Sequence, residues 1–152
     1  MAIADLGMVD AIAARVHPDF PEDAAVFAER LRLYPDGCHV LAAADIAGYL
    51  ISHPWRGEPP PLNSLIGCIP PEARTYYIHD LALLPSARGS GAAGRIVQQL
   101  IEQARRLQLP SLSLVAVNGS VPFWENQGFV VARDHDATGY GEDARRMVRH
   151  LA

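Results

Sequence analysis

Apolar positions recur along this chain with two periods, one helical and one alternating, and the changes between them mark out its elements. Residues 8–16 carry a short helical pattern, ended by His17-Pro18. A second helix is predicted to open at Asp19-Phe20-Pro21-Glu22, where Pro21 and the acidic residues suit a first turn, with Ala25, Val26, Ala28 and Leu31 as its apolar side. Pro35-Asp36-Gly37 is a turn signal, and residues 39–43 and 46–52 read as a strand pair turning near Ala44-Asp45. Residues 53–71 hold six of the chain's 12 prolines and predict a long loop. Trp55 near its start is either a packing anchor or part of a cover over substrate.

Residues 75–84 form the next predicted strand. It runs into a glycine-rich turn and then a helix, on which Ile96, Val97, Leu100, Ile101, Ala104 and Leu107 keep helical spacing. Leu112, Leu114, Val115, Ala116 and Val117 make a strand apolar on both faces, hence buried. Asn118-Gly119 ends it. Ser120 is the expected N-cap of a short helix reaching Asn126. A strand over 129–132, a polar loop over 134–141 holding Tyr140, and a strand over 145–151 close the chain. The pattern is mixed α/β with α+β character, and residues 1–152 are expected to form a single domain.

Composition narrows the function. With 49% hydrophobic and 20% charged residues, the chain has enough apolar material for a core. A net charge of -4 argues against nucleic acid as a partner. No stretch is apolar and long enough to span a bilayer, and Asp5 and Asp10 interrupt the N-terminal segment, so neither a membrane nor a secretion signal is expected. Cys38 and Cys68 form no C-x-x-C pair, which favours a reduced, cytoplasmic setting. The six histidines show no metal-ligand spacing, so no metal is expected.

The glycine-rich turn carries the chemistry. A strand, a turn with Gly89, Gly91 and Gly94, and a helix start aim several backbone N–H groups and a helix dipole at one point, which suits a phosphate or pyrophosphate. Arg88 adds a fixed charge. Three patterns compete for these residues. The spacing of Gly89 and Gly94 fits a P-loop, but Arg95-Ile96 stands where that motif needs Lys and then Ser or Thr. Gly89-Ser90-Gly91-Ala92-Ala93-Gly94 satisfies the dinucleotide fingerprint G-x-G-x-x-G. That fold, however, wants an acidic residue at the end of the next strand, where this chain has Asn118, and more chain than the 58 residues after Gly94. The third pattern, Arg-x-x-Gly-x-Ala, is filled by Arg88, Gly91 and Ala93.

That pattern resembles the coenzyme A pyrophosphate loop of the GNAT acetyltransferase superfamily. Asn118 after the second parallel strand and Gly128-Phe129 after the short helix extend the resemblance over nearly the whole chain. It implies the GNAT acyl-CoA N-acyltransferase fold, a central mixed sheet with splayed parallel strands flanked by helices. Few residues precede Asp5, so the family's first strand is expected to be short or missing, and a homodimer through that sheet edge is plausible. The resemblance implies acetyl-CoA as cosubstrate and a primary amine, on a small molecule or a protein, as acceptor. Leu81, Ala82 and Leu83 would pair through their backbone with the pantetheine arm, their side chains remaining free to serve the core. Arg88, Gly89, Ser90, Gly91, Ala92, Ala93 and Gly94 would hold the pyrophosphate. Asn118 would face the arm and Phe123 would pack on it.

Attack of an amine on a thioester requires a proton acceptor. His79 and Asp80 stand just before the arm-binding segment, and the alternation of a strand predicts that only one of them faces the cleft. His79 is the expected base, since imidazole titrates near neutrality, with Asp80 supporting structure or attracting a cationic amine. Either is equally readable as a hydrogen-bonded or ion-paired structural residue. Many relatives carry a Tyr four residues before the Gly of Gly-Phe, able to protonate the leaving thiolate; this chain has Trp124 there. Either solvent protonates the thiolate, or another group such as Tyr140 substitutes, or the domain is a weak catalyst. The alternative function is a coenzyme A-binding regulatory module without turnover, favoured by Trp124 and the missing strand.

Overall fold

Two helices reach one face of a sheet because their apolar stripes match it. In α1 (Leu6–Val16) that stripe is Val9 and Ile12; in α2 (Ala24–Leu33) it is Val26, Phe27 and Leu31. Val9, Ile12, Phe27 and Leu31 pack with Cys38, Tyr49, Ile51 and Ala82 of the sheet. The computed structural model describes residues 1–133 and 140–151. Its sheet has six strands: β1 (Cys38–Ala42), β2 (Ile46–Trp55), β3 (Thr75–Leu83), β4 (Ser111–Ala116), β5 (Val130–Val131) and β6 (Arg145–His150). Their order is β1-β2-β3-β4-β6-β5, with only β3 and β4 parallel.

The opposite face is covered by α3 (Ala92–Arg106) and α4 (Val121–Asn126). Val97, Leu100, Ile101 and Ala104 of α3 pack on Tyr76, Ile78, Leu112 and Leu114, and Trp124, Phe129 and Met147 complete that core. The predicted α/β class and helix-flanked mixed sheet are therefore what the chain forms.

Several expectations change in detail. The second helix begins at Ala24, leaving Glu22 outside it; Ala25 and Ala28 are exposed, and Phe27 and Arg30 are buried in their place. Strand β2 continues through Pro54 to Trp55 instead of stopping at Ser52. Pro54 is tolerated because β1 pairs with β2 only up to Ile51, so no neighbour on that side needs its missing N–H. Ser120 precedes α4 but makes no capping hydrogen bond. The strand predicted over 129–132 is confined to Val130–Val131. Of the polar loop predicted over 134–141, residues 134–139 lie outside the described residues.

Among the described residues no strand precedes α1, and only a 3-10 turn (Ile3–Asp5) leads into it. Strand β1 is thus an edge strand, closed at one point where the Met1 ammonium donates to the Cys38 carbonyl at 3.1 Å. The turn before β1 runs very close to β2: a Cβ on Gly37 would lie 2.0 Å from the Ser52 carbonyl oxygen, so only glycine fits.

Candidate active site

The parallel strands β3 and β4 pair at only three positions, Tyr76–Leu112, Tyr77–Ser113 and Ile78–Leu114. Beyond them β3 stays paired with β2 as far as Leu83, and β4 with β6 as far as Ala116. Each strand is therefore held from outside while its inner edge is open, and the two form a V. The backbone of Leu81, Ala82 and Leu83 lines one arm. A cavity of about 310 Å³ fills the V, lined by Leu81, Ala82, Leu83, Arg88, Ala93, Asn118 and Phe123 among others. His79, Asp80 and Tyr140 line it too.

At the mouth lies the glycine-rich turn. Gly89 and Gly91 both have φ of +80°, which lets the chain reverse and present amides outward. The Ser90 hydroxyl donates to the Ala87 carbonyl at 2.7 Å and accepts from the Ala92 N–H at 3.3 Å, bracing the turn. The first hydrogen bond of α3 runs from Arg95 N–H to the Gly91 carbonyl at 3.1 Å. Among the described residues nothing occupies the N–H groups of Ala93 and Gly94, as befits a first helical turn. Arg88 is exposed beside them.

His79 and Asp80 both reach the cavity, against the alternation expected of a strand. The register shows why: Ile51 opposes Asp80 while Ser52 opposes Ile78, so His79 is the extra residue of a β-bulge. A bulge re-aims side chains that strict pleating would send to opposite faces. The His79 side chain is 1% exposed, and its Nε2 lies 2.8 Å from Oε1 of Glu22. The other Glu22 oxygen accepts from the Asn63 N–H at 3.1 Å, tying the proline-rich segment to the site. A carboxylate only accepts, so Nε2–H is the donor and neutral His79 keeps its lone pair on Nδ1. That atom is buried and unpartnered among the described residues.

Asp80 holds a second pair. Its Oδ2 accepts from the Tyr49 hydroxyl at 2.5 Å, and its Oδ1 lies 3.0 Å from His17 Nε2. His17 Nδ1 in turn lies 2.9 Å from Asn118 Nδ2. Burial works against charge on His17, but the hydrogen bond and charge of Asp80, with Glu22, outweigh it, and the imidazole titrates above its ordinary 6.5. Two residues of this site escaped the sequence reading. Glu22 reads as a helix-opening acid and His17 as a helix terminator before proline. No local pattern connects either to His79 or Asp80, which lie 57 and 63 positions further along.

Tyr140 is buried at 8% exposure, its ring 6.2 Å from that of Phe20. Burial first, then the Glu22 carboxylate, raises its phenol well above the usual range, so it stays a neutral donor. Its hydroxyl lies near that of Tyr77 and, among the described residues, closes no hydrogen bond of good geometry. Trp124 is a packing residue: its ring stands edge-on to Phe123 at 4.9 Å and to Phe129 at 5.3 Å. His53 is a structural histidine, fully buried and pushed down to about 3 by that burial.

Solved structures share this architecture. The GphF GNAT-like decarboxylase in complex with isobutyryl-CoA is 17% identical, with a TM-score of 0.80 over 100% of this chain and 97% of that one. The loading GNATL domain of CurA from Lyngbya majuscula is 10% identical, with a TM-score of 0.77 over 99% and 94%. Naa20 of Chaetomium thermophilum, in complex with a bisubstrate analogue, is 17% identical, with a TM-score of 0.74 over 99% and 84%. No curated protein matches the sequence. The sequence model of the acetyltransferase (GNAT) family, however, matches residues 7–129. With the split parallel strands and the glycine-rich turn at their mouth, that match places the chain in the acetyltransferase (GNAT) family.

Proposed function

We propose that this protein is an N-acetyltransferase that moves the acetyl group of acetyl-CoA to a primary amine of a small molecule or protein. The observation that carries the reading is the V between β3 and β4, with open backbone on one arm, free helix-start amides at its mouth and a buried Glu22–His79 pair at its side. The isobutyryl-CoA bound by the GphF neighbour supports a coenzyme A thioester as the ligand.

In this reading the amides of Gly89 to Gly94 and the Arg88 guanidinium hold the pyrophosphate. Leu81, Ala82 and Leu83 pair with the pantetheine arm, Asn118 faces it and Phe123 packs on it. The Nδ1 lone pair of His79 takes the amine proton, with Glu22 fixing the ring and stabilising the imidazolium that forms. Asp80 anchors the site through Tyr49 and His17. Tyr140 lines the same cavity and offers a neutral O–H to the acceptor amine. A homodimer through the open edge of β1 and a cytoplasmic location belong to the same proposal.

The second reading, a coenzyme A-binding module without turnover, draws on Trp124, which fills the usual donor position with packing. One experiment separates the two. Acetyl-CoA is incubated with a panel of primary amines, and free thiol is followed against a no-amine blank, with mass spectrometry of the products. Amine-dependent thiol release with a mass gain of one acetyl group supports transfer; saturable acetyl-CoA binding with no release supports the module.

A further inference from the structure

Resting on the acyl-transfer reading, the chemistry needs a second proton transfer, because cleaving the thioester C–S bond leaves its electron pair on sulfur. The α4 wall of the cavity presents the Phe123 and Trp124 rings there, and neither is an acid. One side chain does span the split. His17 closes the helix α1 and reaches Asp80 on β3 with Nε2 and Asn118, just past β4, with Nδ1, at 3.0 and 2.9 Å. It therefore bridges the two strands beyond the point where their pairing ends at Ile78 and Leu114. Asn118 stands in the left-handed region, at φ +55°.

We propose that His17, held across the split by Asp80 and Asn118, donates the proton that converts the leaving thiolate to free thiol. The groups facing it are arranged for that. Asp80 of β3, itself held by Tyr49 of β2, and Glu22 of the segment before α2 favour the imidazolium, as does the C-terminal end of α1; Arg88 of the glycine-rich turn opposes it. When His17 is neutral, Asn118 Nδ2–H donates to its Nδ1. When it is protonated, both ring nitrogens are donors, Asn118 Nδ2–H no longer faces an acceptor, the contact breaks and Nδ1–H becomes available to the cleft. The sequence balances. His79 takes one proton from the amine nitrogen, the C–N bond forms, and the C–S electron pair leaves with sulfur. His17 then gives that sulfur its Nδ1 proton and becomes neutral. His79 releases a proton to water and His17 takes one up, so that thioester and amine become amide and thiol.

The test compares the intact protein, His17→Asn and Tyr140→Phe with two donors and one mixture of primary amines. Acetyl-CoA has a leaving thiolate that needs a proton, whereas S-(4-nitrophenyl) thioacetate, a small aryl thioester, has one that does not. His17→Asn should lower kcat with acetyl-CoA by about 10²-fold. It should leave coenzyme A affinity within a few-fold and transfer from the aryl thioester near that of the intact protein. The intact protein and Tyr140→Phe should lose acetyl-CoA turnover as pH rises past the His17 titration; His17→Asn should lack that alkaline limb. Equal losses with both donors mark His17 as merely structural and overturn the proposal, as does an unaltered kcat with acetyl-CoA. An intact protein that transfers acetyl from neither donor overturns this proposal and the acyltransferase reading together.

Discussion

Replacing Asp80 with Asn tests the larger of the two polar clusters at the site. The carboxylate now accepts from the Tyr49 hydroxyl at 2.5 Å and from His17 at 3.0 Å, with the Asp80 and His17 side chains only 12% and 15% exposed. Hydrogen bonds to charged groups contribute about 1.5–3 kcal/mol each. An Asn oxygen keeps one neutral acceptor, so the net loss is about 2 kcal/mol where His17 is charged. For a chain of 152 residues that corresponds to a Tm lower by about 4–8 °C. The pH dependence has a definite sign. The folded protein holds His17 above its ordinary value of 6.5, so the pair's stabilisation is fully present below that value and is lost as pH rises through the raised one. The Tm deficit of Asp80→Asn should therefore be largest near about pH 6 and shrink toward about pH 9, where only the Tyr49 contact and a neutral His17 contact remain. Differential scanning calorimetry across that range measures it. A deficit constant with pH, or below about 1 °C throughout, refutes the argument.

Three further outcomes follow from the same geometry. His79→Ala should lower kcat by about 10²–10⁴-fold while coenzyme A affinity, proposed to be set at the glycine-rich turn, stays near that of the intact protein. A nearly silent His79→Ala beside a folded but inactive Asp80→Asn would reverse the two roles. Tyr140→Phe should lower turnover with little change in Tm, and an unchanged rate removes it from the reaction. Gly37→Ala places a Cβ 2.0 Å from the Ser52 carbonyl oxygen, a backbone atom that cannot swing aside. It should cost about 1–3 kcal/mol in urea unfolding, and an unchanged midpoint contradicts that contact.

Local pattern accounts for most of the architecture. The helical spacing from Ile96 to Ala104, the turn at Gly89 and Gly91, and the apolar run of β4 all depend on neighbours within one element, so the residues themselves announce them. The site was readable where its residues sit on such elements. It was not readable where a distant pairing moved them. The bulge at His79 arises from the register between β2 and β3, and nothing in Tyr77-Ile78-His79-Asp80 signals it. Glu22 carries a helix-opening signature, yet its carboxylate is drawn to His79 and Asn63, and the helix starts two residues later. His17 looks like a stop signal because it precedes Pro18, and that stop is what frees its ring to reach Asp80 and Asn118. Proline argues against strand and so predicts an end to β2 at Ser52, a rule that fails where one neighbour has already ended.

The most direct test of the account is calorimetric titration of acetyl-CoA into the intact protein and into Gly91→Asp. Gly91 stands at φ +80°, a conformation Asp adopts more readily than most residues, and the added Cβ would meet only the flexible Arg95 side chain at 3.1 Å. The variant should therefore fold, as circular dichroism and Tm would verify, while placing a carboxylate among the amides proposed to receive the pyrophosphate. Micromolar binding by the intact protein, lost in folded Gly91→Asp and not competed by NAD, is the predicted result; unchanged acetyl-CoA binding by that variant, or saturable NAD binding, would contradict it.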